Sequence, residues 1–340
     1  MSKRVLFYLL LFCFISLFVL DLFLGSVNIS FPDIIKTLAT GHNSNHEFEV
    51  VILDFRLPKA LAAILAGIAL SVSGLQMQTV FRNPLAGPDV LGISSGASLG
   101  VALLVLGLPS FFTSNISSIL GNWALIIAAC IGAAVTLFII LIISSRVRDI
   151  MTILILGIMI GAAISSVVSI LQYFGSESLL KSFVVWTLGS LGNISKLQIG
   201  ILSSCIALGL TLSFISVKKL DALLLGEKYA YTMGLNLKRT RLLIFISTSI
   251  LAGSTTAFCG PIAFIGIAIP HICRIIFKTS EHRILLFATI IAGATILLLC
   301  DIISQLPGSN LTIPINSVTA LIGIPIVIWI ITRNRKQNQW

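Results

Sequence analysis

Gly92-Ile93-Ser94-Ser95-Gly96 has the G-x-S-x-G spacing of a hydrolase nucleophile. A serine there attacks a carbonyl only if a neighbouring imidazole takes its proton, and His271 is the candidate base. The α/β-hydrolase elbow needs a strand, a sharp turn and a helix, and no strand pattern surrounds this motif. The hydrolase reading therefore reduces to an intramembrane serine enzyme, with Ser94 or Ser95 facing His271 from another helix. The same residues have a plainer reading. Gly92, Gly96 and Gly100 recur at four-residue spacing on one helical face, which permits close helix contact in a membrane. His271 follows Pro270 near the end of an apolar run, as a capping or packing residue would. The packing reading is favoured.

Other chemistry is sparse. The G-x-x-x-x-G-K-[ST] phosphate loop does not occur, so the chain has no conventional ATPase site of its own. Ion-coupled carriers usually place ionisable side chains in mid-span. Here Asp21, Arg274 and Asp301 stand near the ends of apolar runs instead. A secondary carrier stays open only through backbone coordination of Na⁺. The six cysteines, among them Cys130 and Cys259, lie in apolar runs without a CxxC pair and read as small apolar groups. Arg56 and Lys59, in "RLPK", fall about one turn apart before a long apolar run. They suit either headgroup contact or salt bridges to acids on a soluble partner.

The elements that hold these residues follow from composition. Of 340 residues, 57% are hydrophobic and 10% charged, with mean hydropathy +1.08. Soluble domains carry about 25% charged residues, so the chain reads as an all-α polytopic membrane protein. Apolar runs of about 20 residues predict helices rather than barrel strands. Ten spans are expected at about 5–24, 57–80, 92–108, 122–144, 150–170, 197–216, 242–259, 261–277, 284–303 and 314–332. The first run is longer than a signal-peptide core and lacks a clean cleavage site, so it reads as a retained helix. The net charge of +10 sets topology rather than nucleic-acid binding. Of the 22 Lys and Arg residues, only Lys36, Arg56, Lys59, Lys181 and Lys196 fall outside if the N-terminus is inside. Both termini are therefore expected in the cytosol.

Three connections are long. The outer segment 25–56 is polar, and the outer segment 171–196 has room for a short amphipathic helix. The inner segment 217–241, "VKKLDALLLGEKYAYTMGLNLKRTR", mixes Leu, Tyr and Met with basic residues. It reads as two short helices divided near Gly226 and Gly234, presenting a surface to a partner. A helix followed by a Gly/Pro-broken stretch occurs at 57–100 and again at 242–277, each opening a set of four spans. The sets 57–170 and 242–332 begin on opposite sides, the pattern of an inverted repeat. The whole chain, 1–340, reads as one permease domain.

Four blocks in order carry a family resemblance: "RLPKALAAILAGIALSVSGLQMQTVFRNPLAGPDVLGISSGASLG", "LLLGEKYAYTMGLNLKRTR", "GPIAFIGIAIPHICR" followed by "EHR", and "IPINSVTALIGIPIVIWII". From about 50 to 332 the chain resembles the FecCD-type permeases, which import vitamin B12, haem and ferric siderophores. The resemblance implies a homodimer of ten-helix subunits in the bacterial cytoplasmic membrane. Two ATP-binding-cassette subunits would lie below it and a substrate-binding protein above. It implies binding-protein docking at Arg56, Lys59 and Gln305, the last standing where the B12 importer has an arginine. It implies ATPase coupling through 220–241, including Leu224, Gly226, Tyr229, Ala230, Met233, Gly234 and Leu235. A cytosolic gate is implied at Asn83, Leu85, Ile150 and Met151. No cofactor is expected in the permease, with ATP bound by the partner. The expected cargo is an iron chelate, a ferric siderophore ahead of haem or cobalamin.

Overall fold

A computed structural model describes residues 2–25, 27, 29–43, 45–108, 119–147, 149–306 and 312–334. Arg148, Arg335 and Lys336, which enter the charge count above, lie outside the described residues. Every regular element is helical. The first is α1 (Lys3–Phe23), followed by two short outer helices, α2 (Phe31–Thr40) and α3 (His46–Val50). A π-helical turn, Val51–Arg56, then feeds directly into α4 (Leu57–Val80), making one apolar element from His46 to Val80. The outer segment expected as a loop is thus largely helical, because α3 and the π turn extend the second span outward.

After a break come α5 (Ile93–Val105), α6 (Ile119–Arg146), α7 (Ile150–Phe174) and the short outer helix α8 (Glu177–Thr187). Next are α9 (Lys196–Leu224), α10 (Glu227–Thr232) and α11 (Leu237–Cys259). The chain ends with α12 (Ile265–Phe277), α13 (His282–Ser304) and α14 (Ile315–Asn334). Seven of these elements are long and apolar enough to cross a membrane. Three shorter apolar helices, α5, α12 and the apolar part of α14, occupy the remaining expected spans.

Local chemistry sets several boundaries. Ser195 and Gln198 form a capping box at the start of α9, each accepting a backbone N–H of the other's residue. α9 then continues to Leu224, so residues 217–224 belong to a span and not to a separate short helix. Only α10 stands alone between Gly226 and Gly234, a correction to the two helices expected there. The physical reason is that Leu220 and Leu223 are buried and keep the end of α9 packed. Asp149 caps α7 by accepting from the Thr152 N–H at 2.8 Å.

The two helix sets interlock. α4, from the first set, packs on α12 and α13; α11, from the second, packs on α5 and α6; α4 and α11 also touch. The breaks fall at opposite ends. The first follows α4, where Arg82 takes φ 49° and Gly92 φ 69°. The second precedes α12, where Gly260 takes φ 74° and Phe264 φ 68°.

Glycine sets how closely α4 approaches the second set. A Cβ at Gly74 would lie 1.7 Å from the Gly266 carbonyl oxygen, and one at Gly67 would lie 2.3 Å from that of Gly293. At mid-height, buried Gln76 donates to Ser213 Oγ (3.0 Å) and Ser247 Oγ (3.1 Å) and accepts from Thr248 Oγ1 (2.9 Å). These bonds tie α4, α9 and α11 where water cannot satisfy the amide. Two large buried clusters result, beside a small one of Ile29, Ile34 and Ile52. One is centred on α4, α12 and α13, the other on α5, α6, α7 and α11.

Candidate functional site

At one end of the bundle, α1, α4 and α13 bring charges together. Lys59 donates to Asp301 Oδ1 at 3.0 Å. Gln305 donates to Asp21 Oδ1 at 2.9 Å and to Asp301 Oδ2 at 3.1 Å. Asp21 and Asp301 are 3% and 1% exposed. Neither reaches water as their positions near span ends suggest, because α1, α4 and α13 close over them. Arg56 is equally occupied. Its guanidinium donates to the carbonyls of Leu22 (2.9 Å) and Phe23 (3.1 Å), and also to that of Val27. The last carbonyls of a helix have no partner within it, so Arg56 caps α1 and fastens it to α4. A Cβ at Gly25 would lie 2.7 Å from Arg56 Nη2, so a side chain there would push the guanidinium aside.

Arg56 and Lys59, the expected docking residues, both turn inward onto α1 and α13. A cavity of about 430 Å³ opens beside Asp21, Arg56, Lys59 and Gln305. Asp21 was noted in the sequence only as a span-end residue. Its pairing had no local signal, since Gln305 lies 284 residues away.

At the inner end, α10 hangs between two left-handed glycines, Gly226 (φ 109°) and Gly234 (φ 84°). Glu227 accepts from buried Arg241 at 2.5 Å and fastens α10 to the start of α11. Ala230 is buried, and Leu235 packs partly against the core. Tyr229 and Met233 are 68% and 67% exposed, with Leu224 less so. Of the expected coupling residues, Leu224, Tyr229 and Met233 thus form the accessible face. Gly226 and Gly234 shape the turns, and Ala230 and Leu235 anchor the segment. Leu225 and Tyr231, absent from the expected set, are equally open. These aromatic and apolar side chains stand exposed beside basic residues.

The expected gate residues divide. Asn83 Oδ1 accepts from the Leu85 N–H at 2.9 Å, fixing the turn after α4 with Leu85 exposed. Ile150 is buried in the second cluster, while Met151 is exposed. Ile150 therefore anchors α7, and Met151 is the member of that pair with a free face.

The serine motif is not brought to a base. Ser94 donates to Asp89 Oδ1, and no hydrogen bond joins Ser94 or Ser95 to His271 among the described residues. Gly96 and Gly100 instead face α6. A Cβ at Gly100 would lie 2.0 Å from the Ala128 carbonyl oxygen.

Broken, interlocked helices, seven of them long and apolar enough to span a bilayer, define a polytopic all-α membrane protein. The chain belongs to the FecCD transport family, which it matches over residues 10–333. It is 37% identical over 290 residues to the vitamin B12 import system permease protein BtuC of Klebsiella pneumoniae, covering 84% of each chain. It is 32% identical over 326 residues to the hemin transport system permease protein HmuU of Yersinia pestis, covering 96% of each. Among solved structures, a metal-chelate type ABC transporter in an inward-facing conformation superposes with TM-score 0.83 at 27% identity. That match covers 97% of this chain and 99% of the other. The chain is thus a permease subunit of the ABC importer type, with ATP hydrolysis residing in a partner subunit.

Proposed function

We propose that the chain moves an iron chelate, a ferric siderophore, into the cytoplasm. It would act as a homodimer with two ATP-binding-cassette subunits and an extracytoplasmic binding protein. Its place is the bacterial cytoplasmic membrane, with both termini in the cytosol. The observation that carries this reading is α10: a short helix on two glycine hinges, braced by Glu227 and Arg241, presenting Tyr229 and Met233 to the inner side. An ATPase docked there would shift the ends of α9 and α11 together. Since α11 packs on α4, α5 and α6, that shift would reach the turn at Asn83 and Leu85, and Met151, where the path closes. Binding-protein docking is assigned to Arg56, Lys59 and Gln305, which would exchange internal partners for acids of that protein. The permease carries no cofactor in this scheme.

Haem and cobalamin are the second reading for cargo, favoured by the hemin and vitamin B12 permeases among the relatives. The test is purification with a neighbouring ATPase and binding protein, then uptake of labelled ferric siderophore, haem and cobalamin in proteoliposomes. Siderophore uptake that needs ATP supports the proposal; haem or cobalamin uptake alone replaces its cargo. Uptake driven by an ion gradient without ATPase refutes the scheme. Tyr229→Glu and Met233→Glu should lower ATPase association at least tenfold, and unchanged association would remove α10 from the interface.

A further inference from the structure

Asp221, His282 and Thr79 form a chain of hydrogen bonds across three helices, with His282 and Thr79 buried and the Asp221 side chain 38% exposed. Asp221 Oδ1, on α9, accepts from the His282 backbone N–H at 2.9 Å and faces His282 Nδ1 at 2.7 Å. His282 Nε2 lies 2.7 Å from Thr79 Oγ1, on α4. His282 is fully buried and Thr79 is 2% exposed. The cap residue of α13, Glu281, makes no side-chain cap bond. The Asp221 carboxylate does that work from another helix. A carboxylate has no proton to give, so Nδ1 carries the proton of this pair. In the neutral imidazole Nε2 is then an acceptor for the Thr79 hydroxyl, whose single proton is shared between Nε2 and the Leu75 carbonyl oxygen.

The residues resemble a nucleophile–base–acid series, but Thr79 cannot act as a nucleophile. Its oxygen also accepts from Arg274 Nη2 at 3.2 Å and lies 3.0 Å from the Leu75 carbonyl oxygen. These partners surround the hydroxyl. Arg274 donates in addition to Gln78 Oε1 at 3.1 Å, and Gln78 donates to the Ile267 carbonyl at 2.9 Å. The inner end of α4 is thereby bonded to α9, α12 and α13 together.

Asp221 stands three residues before the end of α9, next to the hinge at Gly226; Thr79 stands four residues before Asn83. Nearer the surface a cavity of about 360 Å³ is bordered by Arg82, Pro84, Leu224 and Arg274, and the Arg82 guanidinium crosses between the two chain ends, donating to the Leu224 carbonyl at 3.1 Å. Packing alone does not fill that gap.

We infer that Asp221–His282–Thr79 is a strut that transmits displacement of the coupling segment to the inner end of α4 and the turn after it. These are positioning residues for transport. The inference rests on the proposed role of α10 as the ATPase contact.

The test uses the complete complex of permease, ATPase and binding protein in proteoliposomes. Leu85→Cys is labelled by a water-soluble maleimide with and without ATP, and the labelled peptide is quantified by mass spectrometry. This readout needs no knowledge of the cargo. Thr79→Val removes the hydroxyl and keeps the shape. It should preserve ATP hydrolysis but reduce the ATP-dependent change in Leu85→Cys labelling about tenfold. That factor corresponds to about 1.4 kcal/mol, within the range of a buried hydrogen bond. Thr79→Ser should restore the change, and Thr79→Val with His282→Gln should be no worse than His282→Gln alone. If His282→Gln fails to assemble, Thr79→Val decides. A wild-type ATP-dependent change in Thr79→Val overturns the strut. Tyr229→Glu separates the two ideas: if it leaves ATPase association intact, the coupling assignment of α10 fails. If it abolishes association while Thr79→Val is silent, only the strut fails.

Discussion

Lys59→Met should destabilise the permease strongly near neutral pH and much less in mild acid. The Lys59 ammonium lies 3.0 Å from Asp301 Oδ1, and Asp301 is 1% exposed. Asp21, 3% exposed, shares the Gln305 amide with it. Removing Lys59 leaves two buried carboxyl groups and no direct cation contact for Asp301. Breaking a buried pair from one side costs about 3–5 kcal/mol. The molecule can escape part of this by protonating one acid. For an ordinary carboxyl of pKa about 3.9, protonation costs about 4 kcal/mol at pH 7 and about 1.5 kcal/mol at pH 5. The penalty is therefore capped at about 4 kcal/mol at pH 7 and falls as pH drops. For 340 residues, an unfolding entropy of about 2.1 cal/mol/K per residue turns 4 kcal/mol into a loss of about 6 °C. The assay is thermal melting in detergent followed by size-exclusion fluorescence, at pH 7.5 and pH 5. Lys59→Met with Asp301→Asn should recover most of the loss, because replacing both members of a buried pair is often neutral. Melting of Lys59→Met within 1 °C of wild type at pH 7.5, or a double variant no better than the single, would refute this account.

The remaining predictions concern packing and capping. Gly96→Leu should separate α5 from α6, because even a Cβ there would lie 2.1 Å from Thr136 Oγ1 and 2.6 Å from the Gly132 carbonyl oxygen. We expect a loss of about 3 kcal/mol or more, read as a lower melting temperature. Ser94→Ala, by contrast, should stay within about 0.5 kcal/mol of wild type and keep full uptake; lost uptake would revive the hydrolase reading. Asp149 is held below the usual carboxylate range by the Thr152 hydroxyl, then by backbone N–H bonds. Its capping contribution is thus present above its unfolded pKa of about 3.9 and fades as pH falls through the lower folded value. Asp149→Asn should therefore differ from wild type in melting temperature at pH 7, and that difference should shrink below about pH 4.

Much of the architecture was legible because apolar length and glycine or proline breaks are local signals. α4 occupies Leu57–Val80, the expected interval, and the breaks fall at Asn83–Gly92 and Gly260–Phe264. The exposure of Tyr229 and Met233 on α10 was legible from Tyr and Met set among basic residues. What escaped was the direction of polar side chains near span ends. Arg56 reads as an outward cation, yet its partners are carbonyls 29 to 34 residues earlier. His282 reads as part of a charged turn, yet its partners lie 61 and 203 residues away. Helical periodicity reports which face is apolar and says nothing of which distant carboxylate a buried imidazole will meet. The length of α9 escaped for a related reason. Lys218, Lys219 and Asp221 look like the end of a span, but burial of Leu220 and Leu223 carries the helix through them.

The two ends of the permease use the same physical device for different purposes. Outside, Lys59, Asp21, Asp301 and Gln305 satisfy one another, so any partner that recruits Lys59 must first offer a carboxylate as good as Asp301. Such an exchange is nearly balanced, since each bond lost is replaced by one of the same kind. It favours orientation and reversibility over affinity, which suits a docking step repeated at every transport cycle. Inside, the acid of Asp221 is already committed to the first turn of α13 and to His282. Displacing it would leave a fully buried imidazole without its carboxylate and α13 without its cap. That exchange is unfavourable, so the inner cluster moves as a unit where the outer one can trade partners. In the proposed scheme, polar groups at helix ends would thus divide the permease into an end that exchanges contacts and an end that transmits motion.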